Sequence, residues 1–447
     1  MLDDTPPDSR FRARALTQLA DVQSMEGNYP ASFSTIDAAL ELWRELDDEH
    51  GLATALRARG RASMFSGDMA RGDADCNEAL TVYRRIGDRR GEAWALSNLA
   101  TIAFFRGDTV VAEERLNAAQ TMFEELGDWG GRSWSLALLA WVHFMDGKLD
   151  LAESLALEQL PESDAHGDRY VAGLLEMLLG NVALWRGQVT SAVERSRGAV
   201  TRFRTMGDPW AIGQAMGIEL RALAATGQVE EAITRLESET AMGQAGLPLD
   251  ILRAQILVHV GDPDALPAAL HLRGAEGVSG QRVAGDATRT LALALLQAGR
   301  ADEALAQMPW PDEPEQADHA DAAALALMLV ACGRADEAAD LVRLHLDAGT
   351  YLDSLQSRTA LAFAQLQLGA PDAEAGFDDL VEAADATESR LDQAIARLAR
   401  VHAWRSLGRP DVVDAERDTF ARLQSIGAQL LGWARAFDRA AGAAPAD

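Results

Sequence analysis

Lysine is nearly absent from this chain. Lys148 is the only lysine among 447 residues, and arginine supplies the other basic side chains. A phosphate-binding P-loop requires a Gly-Lys-Ser/Thr triplet, which the sequence does not contain. Schiff-base chemistry requires a lysine in a desolvated pocket, whereas Lys148 follows Asp146-Gly147 in a predicted turn. The sequence therefore disfavours both P-loop nucleotide hydrolysis and Schiff-base catalysis.

Cysteine is almost as scarce. Cys76 and Cys332 lie far apart in the sequence, so neither a disulfide framework nor a zinc-binding spacing is present. The N-terminal residues are acidic and polar, unlike those of a secretory signal. The longest apolar run, Ala322–Cys332, is too short to span a bilayer. These features predict a cytoplasmic protein.

Catalytic and metal-binding motifs are also missing. The eight histidines are scattered, and no two have the spacing of a metal site on a helix. The sequence contains no HExxH, EF-hand, GxSxG or dinucleotide-binding pattern. We therefore expect no metal, no cofactor and no enzymatic activity.

The charge balance is strongly acidic, with a formal net charge of −28. Binding to nucleic acid depends on neutralising phosphates, and binding to anionic membranes depends on basic residues. The sequence thus predicts no direct nucleic-acid partner and no membrane partner. An acidic, solvated surface accounts for the charge, and a basic protein partner is the alternative.

Glycine recurs with a fixed period of forty residues. The first series is Gly27, Gly67, Gly107, Gly147, Gly187 and Gly227. A second series lies between these positions: Asp47-Asp48, Gly87-Asp88, Gly127-Asp128, Gly167-Asp168 and Gly207-Asp208. Glycine accepts the left-handed conformation that ends a helix, and aspartate caps the start of the next one. An unbroken period of this kind predicts a repeat protein with two helices in each unit.

Small residues flank the turn glycines in a constant register. Around Gly107 the pattern is Leu96, Leu99, Ala100 and Ala103 before the turn, and Ala112, Leu116 and Ala119 after it. The same small–small pairing recurs as Ala20/Ser32, Gly180/Ala192 and Ala326/Ala338. This pattern resembles the tetratricopeptide repeat (TPR) over nearly the whole chain.

The resemblance implies an all-α fold, an α-solenoid that forms a TPR-like right-handed superhelix of about eleven helix-turn-helix repeats. The common TPR unit has about 34 residues, whereas the first six units here have forty. Repeats of this length are similar to the TPR arms of bacterial signal-transduction regulators of the MalT and AfsR type.

The turn spacing predicts the organisation of the chain. We expect a disordered lead-in at 1–10, six regular repeats at 11–243, and a degenerate repeat or joint at 244–285, where Gly and Pro cluster. Four shorter repeats follow at 286–437, with turns at Gly299, Gly333, Gly369 and Gly408, and a tail occupies 438–447.

In TPR superhelices the first helix of each unit lines the concave face. The resemblance therefore implies a ligand-binding groove along the positions 13, 10 or 9, 6 and 2 residues before each turn glycine. Large apolar residues recur two before the turn, which is typical of packing. Six and thirteen before the turn, the residue type changes from unit to unit, which repeated packing does not require. The predicted groove comprises Arg57, Arg61, Trp94, Asn98, Thr101, Trp134, Trp141, Met177 and Asn181.

An aromatic patch of Trp94, Trp134 and Trp141 dominates this set, and aromatic and arginine side chains are favoured at binding hot spots. Filling of the core by these rings is the alternative interpretation. Arg57 and Arg61 with Asn98 are similar to part of the TPR carboxylate clamp, although Trp134 stands where a basic group is expected.

Together these features predict a non-catalytic binding module for a protein or peptide, with a small effector as a further ligand class. The resemblance implies the sensor or scaffold arm of a bacterial regulatory protein that binds its ligand in the concave groove. The alternative is a stand-alone assembly scaffold or adaptor that uses its outer face or its ends.

Overall fold

The computed structural model describes residues 9–241, 247–273, 281–308, 310–311, 314, 318–345 and 351–442. Within these ranges the chain forms 23 α-helices and no β-strand, and successive helices pack in pairs. The prediction of an all-α solenoid of helix hairpins is confirmed. None of the helices in the described ranges has the length and apolar character needed to cross a membrane.

The chain divides into two compact units, and the division falls within helices α9 and α10. Unit 1 holds the residues up to Leu178 together with Arg202–Asp208, and unit 2 holds Leu179–Thr201 and the residues from Pro209 onward. The helices of unit 1 are α1 (Ser9–Met25), α2 (Tyr29–Glu45), α3 (Glu49–Phe65), α4 (Met69–Ile86), α5 (Arg89–Arg106), α6 (Thr109–Glu125), α7 (Trp129–Met145) and α8 (Leu149–Ala165). Helices α9 (Arg169–Trp185) and α10 (Val189–Met206) contribute to both units.

Unit 2 continues the series of hairpins. Its helices are α11 (Pro209–Thr226), α12 (Val229–Ala241), α13 (Leu247–His259), α14 (Ala265–Leu270), α15 (Gln281–Gln297), α16 (Ala301–Gln307), α17 (His319–Ala331), α18 (Ala335–His345), α19 (Tyr351–Gln367), α20 (Ala373–Asp385), α21 (Arg390–Ser406), α22 (Val412–Ser425) and α23 (Leu431–Ala440). The segment 244–285 thus contains α13 and the short α14. Its residues 244–246 and 274–280 lie outside the described residues, as do residues 1–8 of the expected lead-in and 443–447 of the expected tail.

The turn glycines end the helices in the way that their spacing predicts. Eleven of them have a positive φ: Gly27, Gly67, Gly107, Gly147, Gly187, Gly227, Gly261, Gly299, Gly333, Gly369 and Gly408. At Gly107 the glycine N–H donates to the carbonyl oxygen of Phe104 at 3.0 Å, and the N–H of Asp108 donates to that of Ala103 at 2.9 Å. These two bonds satisfy carbonyl groups that the end of a helix otherwise leaves without a partner.

The aspartates of the second series start the next helix. The carboxylate of Asp48 accepts from the N–H of Gly51 at 2.9 Å, and the carboxylate of Asp88 accepts from the N–H of Gly91 at the same distance. Asp47 occupies a glycine position of this series and adopts the same left-handed conformation, with a φ of 51°. Aspartate tolerates that conformation better than most residues, so the register survives without glycine.

Small residues bring the two helices of a hairpin close together. The hydroxyl of Ser32 donates to the carbonyl oxygen of Ala20 at 2.8 Å, which links α2 directly to the backbone of α1. In the next hairpin a Cβ on Gly72 would lie 3.0 Å from the carbonyl oxygen of Gly60. Buried alanines, leucines and aromatic rings fill the layer between the hairpins in both units.

Candidate functional site

The helix that ends at one of the eleven turn glycines named above is called a first helix. The residues 13, 10, 9, 6 and 2 positions before that glycine are called its stripe residues. The predicted groove residues are stripe residues of α3, α5, α7 and α9. Arg57, Arg61, Trp94, Trp134, Trp141 and Asn181 are partly exposed, whereas Asn98, Thr101 and Met177 are buried. Asn181 belongs to unit 2, and the other eight belong to unit 1.

Two of the tryptophans lie against aromatic rings of neighbouring helices. The ring of Trp94 meets that of Phe123 edge-on, with 5.0 Å between the centroids. The ring of Trp134 stacks on Tyr170, with 6.2 Å between the centroids. Each indole therefore has one supported side and one exposed part, as a binding surface requires.

Trp141 is held more deeply. It packs against a buried cluster that includes Phe104 and Leu138, and it meets Phe144 edge-on at 5.7 Å. Its indole Nε1 is buried and has no hydrogen-bond partner among the described residues. An unpaired buried N–H costs free energy, so the local contacts of this ring are incomplete.

The basic part of the stripe is tied to neighbouring helices. Nη2 of Arg61 forms an ion pair with Oδ1 of Asp21 at 2.7 Å, and both side chains are about one-third exposed. Burial raises the pKa of the Cys76 thiol to about 12, whereas the nearby side chains of Arg57 and Asn98 act to lower that pKa. Nδ2 of Asn98 is buried and has no hydrogen-bond partner among the described residues. Arg57 and Asn98 thus lie close to Cys76 on the second helix α4.

Tyr29, Tyr170 and Asp208 form a cluster near Arg61 that the sequence did not predict. Burial and the Asp208 carboxylate raise the pKa of the Tyr170 hydroxyl, while Arg61 lowers it. Burial and the same carboxylate also raise the pKa of Tyr29. Asp208 therefore lies near both tyrosines, and Arg61 lies near Tyr170. The rarity of tyrosine, with four in the chain, is the only sequence signal for this cluster.

Unit 2 contains a cavity of about 200 Å³. Each first helix from α11 to α21 contributes to its lining, and α20 and α23 complete the wall. Four lining residues lie six positions before a turn glycine: Arg221, Gln255, Leu293 and Leu327. Three more lie thirteen positions before one: Ala320, Gln356 and Ile395. In unit 2 the stripe residues therefore form the inner face, although their residue types differ from hairpin to hairpin.

The charged residues of the cavity wall are paired with one another or with their neighbours. Nε2 of His259 lies 2.9 Å from Oδ1 of Asp392, and the Ser389 hydroxyl donates to the other carboxylate oxygen at 2.5 Å. Nη1 of Arg289 bonds to Asp321 at 2.7 Å, and its Nη2 contacts Asp286. The wall thus offers oriented hydrogen-bonding groups among apolar side chains.

Burial opposes the positive charge of Arg289, but the carboxylates of Asp286 and Asp321 outweigh it and hold the arginine pKa above its usual value. Arg289 therefore stays charged in the wall. Arg221 is tied to its own helix, since its Nε donates to the carbonyl oxygen of Gly217 at 3.1 Å. A site of this kind suits an apolar group that carries a few hydrogen-bonding atoms.

No protein-family model matches the sequence, and no curated protein matches it. Solved structures do resemble the chain. One is the crystal structure of the APC/C hetero-tetramer Cut9–Hcn1, with 13% identity, coverage of 92% of this chain and 87% of that one, and a TM-score of 0.47. Another is the apo form of the quorum sensor NprR from B. thuringiensis, with 12% identity, coverage of 93% and 100%, and a TM-score of 0.35. Both similarities are to the course of the helices.

Proposed function

We propose that this chain is a non-catalytic, TPR-like binding module that takes a protein or peptide segment along the stripe residues of its first helices. One observation carries the proposal. In unit 2, residues six positions before successive turn glycines converge on a single cavity, including Arg221, Gln255 and Leu293. The helix face whose residue type varies between repeats thus lines this cavity.

The same register assigns the binding surface of unit 1 to Trp94, Trp134 and Trp141, with Arg61 beside them. Partly exposed rings supported on one side are favourable contacts for a peptide. The guanidinium of Arg61 bonds to Asp21 and lies near Tyr170, so it is held in place before a ligand arrives. Such a surface binds an extended peptide through its apolar side chains and through hydrogen bonds to its backbone.

The wider role follows from the sequence resemblance alone. A module of this type serves as the sensor or scaffold arm of a bacterial regulatory protein, and the repeat length is what links this chain to regulators of the MalT and AfsR type. A stand-alone assembly scaffold that uses its outer face or its ends is the alternative. The two roles differ in which surface the partner covers, so the same mutants discriminate between them.

The test selects random peptides on the purified full-length protein and measures their affinity for surface variants. Burial of one indole against a ligand contributes roughly 2 kcal/mol. The variant Trp141→Ala should therefore weaken a selected peptide about thirtyfold. The matched control is Val110→Ala, because Val110 is 70% exposed on the second helix α6.

Melting temperatures of both variants complete the test. If Trp141 serves the core alone, Trp141→Ala lowers the melting temperature and leaves the affinity of the folded protein unchanged, which contradicts the proposal. If Val110→Ala weakens binding and Trp141→Ala does not, the outer face is the binding surface.

A further inference from the structure

Helix α23 is not half of a hairpin. Its neighbours in unit 2 are α15, α17, α19 and α21, which are four successive first helices. A helix that only capped the solenoid would lie on the last second helix. Instead α23 runs across the inner face of the repeats that it follows.

One side of α23 is buried and the other is exposed. Trp433 and Phe437, four residues apart, are 3% and 1% exposed, whereas Leu431 on the other side is 42% exposed. Ala436 and Ala440 complete the buried face. This is the pattern of an amphipathic helix bound in a groove through anchor residues one turn apart.

The contacts of α23 fall on stripe residues. Phe437 lies 5.3 Å from Phe363, measured between ring centroids, and Nδ1 of His402 lies 2.6 Å from Oδ1 of Asp438. Phe363 and His402 are six positions before Gly369 and Gly408, so they continue the register of the cavity.

Hydrogen bonds to the backbone hold both ends of α23. The indole Nε1 of Trp433 donates to the carbonyl oxygen of His259 at 3.0 Å. At the other end, Nε2 of Gln367 donates to the carbonyl oxygen of Ala440 at 2.8 Å. Gln367 and His259 both lie two positions before a turn glycine. The same stripe therefore supplies the hydrogen bonds as well as the apolar contacts.

The entry into α23 is strained. Leu430 adopts a left-handed conformation with a φ of 49°, although it is not glycine and is fully buried. The close approach depends on Gly261, since a Cβ there would lie 2.9 Å from the Cα of Leu430. The N–H of Gly432 donates to the carbonyl oxygen of Gly261 at 2.9 Å. Release of α23 would relieve the strain at Leu430, which favours an exchange of occupants.

The fit is also incomplete. Trp433 and Phe437 form part of the wall of the 200 Å³ cavity, so α23 leaves this space unfilled on the inner face. Protein interiors are otherwise closely packed, so the apolar side chains of this wall make fewer contacts than a filled site would give them. A helix that places further apolar atoms in this space would bury more apolar surface than α23 does.

We propose that α23 is an internal ligand of unit 2 and that the inner face of unit 2 binds, in exchange for α23, an amphipathic helix of a partner protein with aromatic residues four positions apart. The proposal rests on the proposed function in that the stripe residues form the binding surface. Docked α23 would keep the site closed until a better-fitting helix displaces it.

The test adds a fluorescent synthetic peptide of residues 428–442 to full-length proteins. In the variant Trp433→Ala/Phe437→Ala the internal helix loses its anchors, so the peptide should bind at least about tenfold more tightly than to the wild type. Leu431→Ala is the matched control and should behave like the wild type. The same peptide with alanine in place of both aromatic residues should bind none of the proteins. Equal binding to all proteins, or binding to none, overturns the proposal.

Hydrogen exchange on the wild-type protein provides a second measurement that does not depend on the folding of a variant. The amides of α23 should exchange by local opening, well before those of α17 and α19. Exchange of α23 only together with these helices would show that it is a fixed part of the core and would overturn the proposal. These readouts do not involve Trp141, so they can fail independently of the proposed function.

Discussion

Gly91 lies so close to Tyr83 that a Cβ on the glycine would come within 2.3 Å of Cδ1 of the ring. Tyr83 is near the end of α4 and Gly91 is in the first turn of α5, so the ring fills the junction between two successive hairpins. The same contact recurs forty residues away on each side, between Trp43 and Gly51 and between Phe123 and Gly131. At the fourth junction the small Ser163 takes the place of the ring, and the larger Val171 takes the place of the glycine.

Substitution of this glycine should therefore be costly. We expect Gly91→Ala to lower the free energy of unfolding by about 1–3 kcal/mol, because the new methyl group overlaps a buried ring on a packed helix. Denaturant unfolding followed by circular dichroism measures the change. The matched control is Gly130→Ala in the first turn of α7, where the nearest atom to a new Cβ is 3.8 Å away.

Alanine favours helix more than glycine does, so the control should be neutral or slightly stabilising. Equal destabilisation by both changes would mean that the loss of glycine itself matters and that the Tyr83 contact does not. The double variant Tyr83→Ala/Gly91→Ala should lose less free energy of unfolding than the sum of the two single variants, because the overlap disappears with the ring.

Much of the fold could be predicted because its determinants are local. A residue in the left-handed conformation ends one helix, and the aspartate after it caps the next. Both effects depend only on neighbouring residues, and the signal recurs every forty residues along the chain. Asp47 shows that the register holds even where glycine is replaced. Arg221 lines the cavity of unit 2 and lies six positions before Gly227, a kind of position at which the repeat spacing predicts ligand contacts.

The rest of the site depends on contacts between residues that are distant in the sequence. His259 and Asp392 meet across 133 residues, and no spacing rule indicates that pair. The buried face of α23 has the same apolar pattern as any second helix, so the sequence could not show that it lies on first helices. Asn98 is buried, whereas Arg61 is partly exposed, and the spacing alone does not distinguish these two environments.

The ion pair between Arg59 and Asp75 ties the second hairpin together. The guanidinium donates through two nitrogens, at 2.7 and 2.8 Å, and Asp75 is 5% exposed. Removal of the carboxylate leaves a mostly buried guanidinium with one partner fewer. We expect Asp75→Ala to cost about 3 kcal/mol, measured from the exchange of α3 and α4 amides. Asp414→Ala is the control, because its pair with Arg417 is largely exposed and contributes less than about 1 kcal/mol. A similar loss in both variants would contradict the role of burial.

His402 connects α21 to α23 and makes this contact sensitive to pH. Burial lowers the pKa of His402 below its usual 6.5, and Asp438 opposes this effect without cancelling it. Arg405 also lowers this pKa and Glu416 raises it. At pH about 7.5 and above, about one unit over its usual pKa, His402 is neutral in the folded and unfolded protein, and its contribution to stability is complete. As the pH falls below that value, the unfolded state binds a proton that the folded state does not, so stability is lost down to the folded-state pKa.

Acid should therefore release α23 first, because His402 reaches water only when this helix leaves. We expect the protection of α23 amides to fall between pH about 7.5 and about 5.5 in the wild type, after correction for the intrinsic exchange rate. In His402→Asn the fall should be smaller, because asparagine retains a donor for Asp438 and does not titrate. His143 and His319 also have lowered pKa values, but they are present in both proteins and cancel in the comparison. An equal fall in both proteins would exclude His402 as the titrating group.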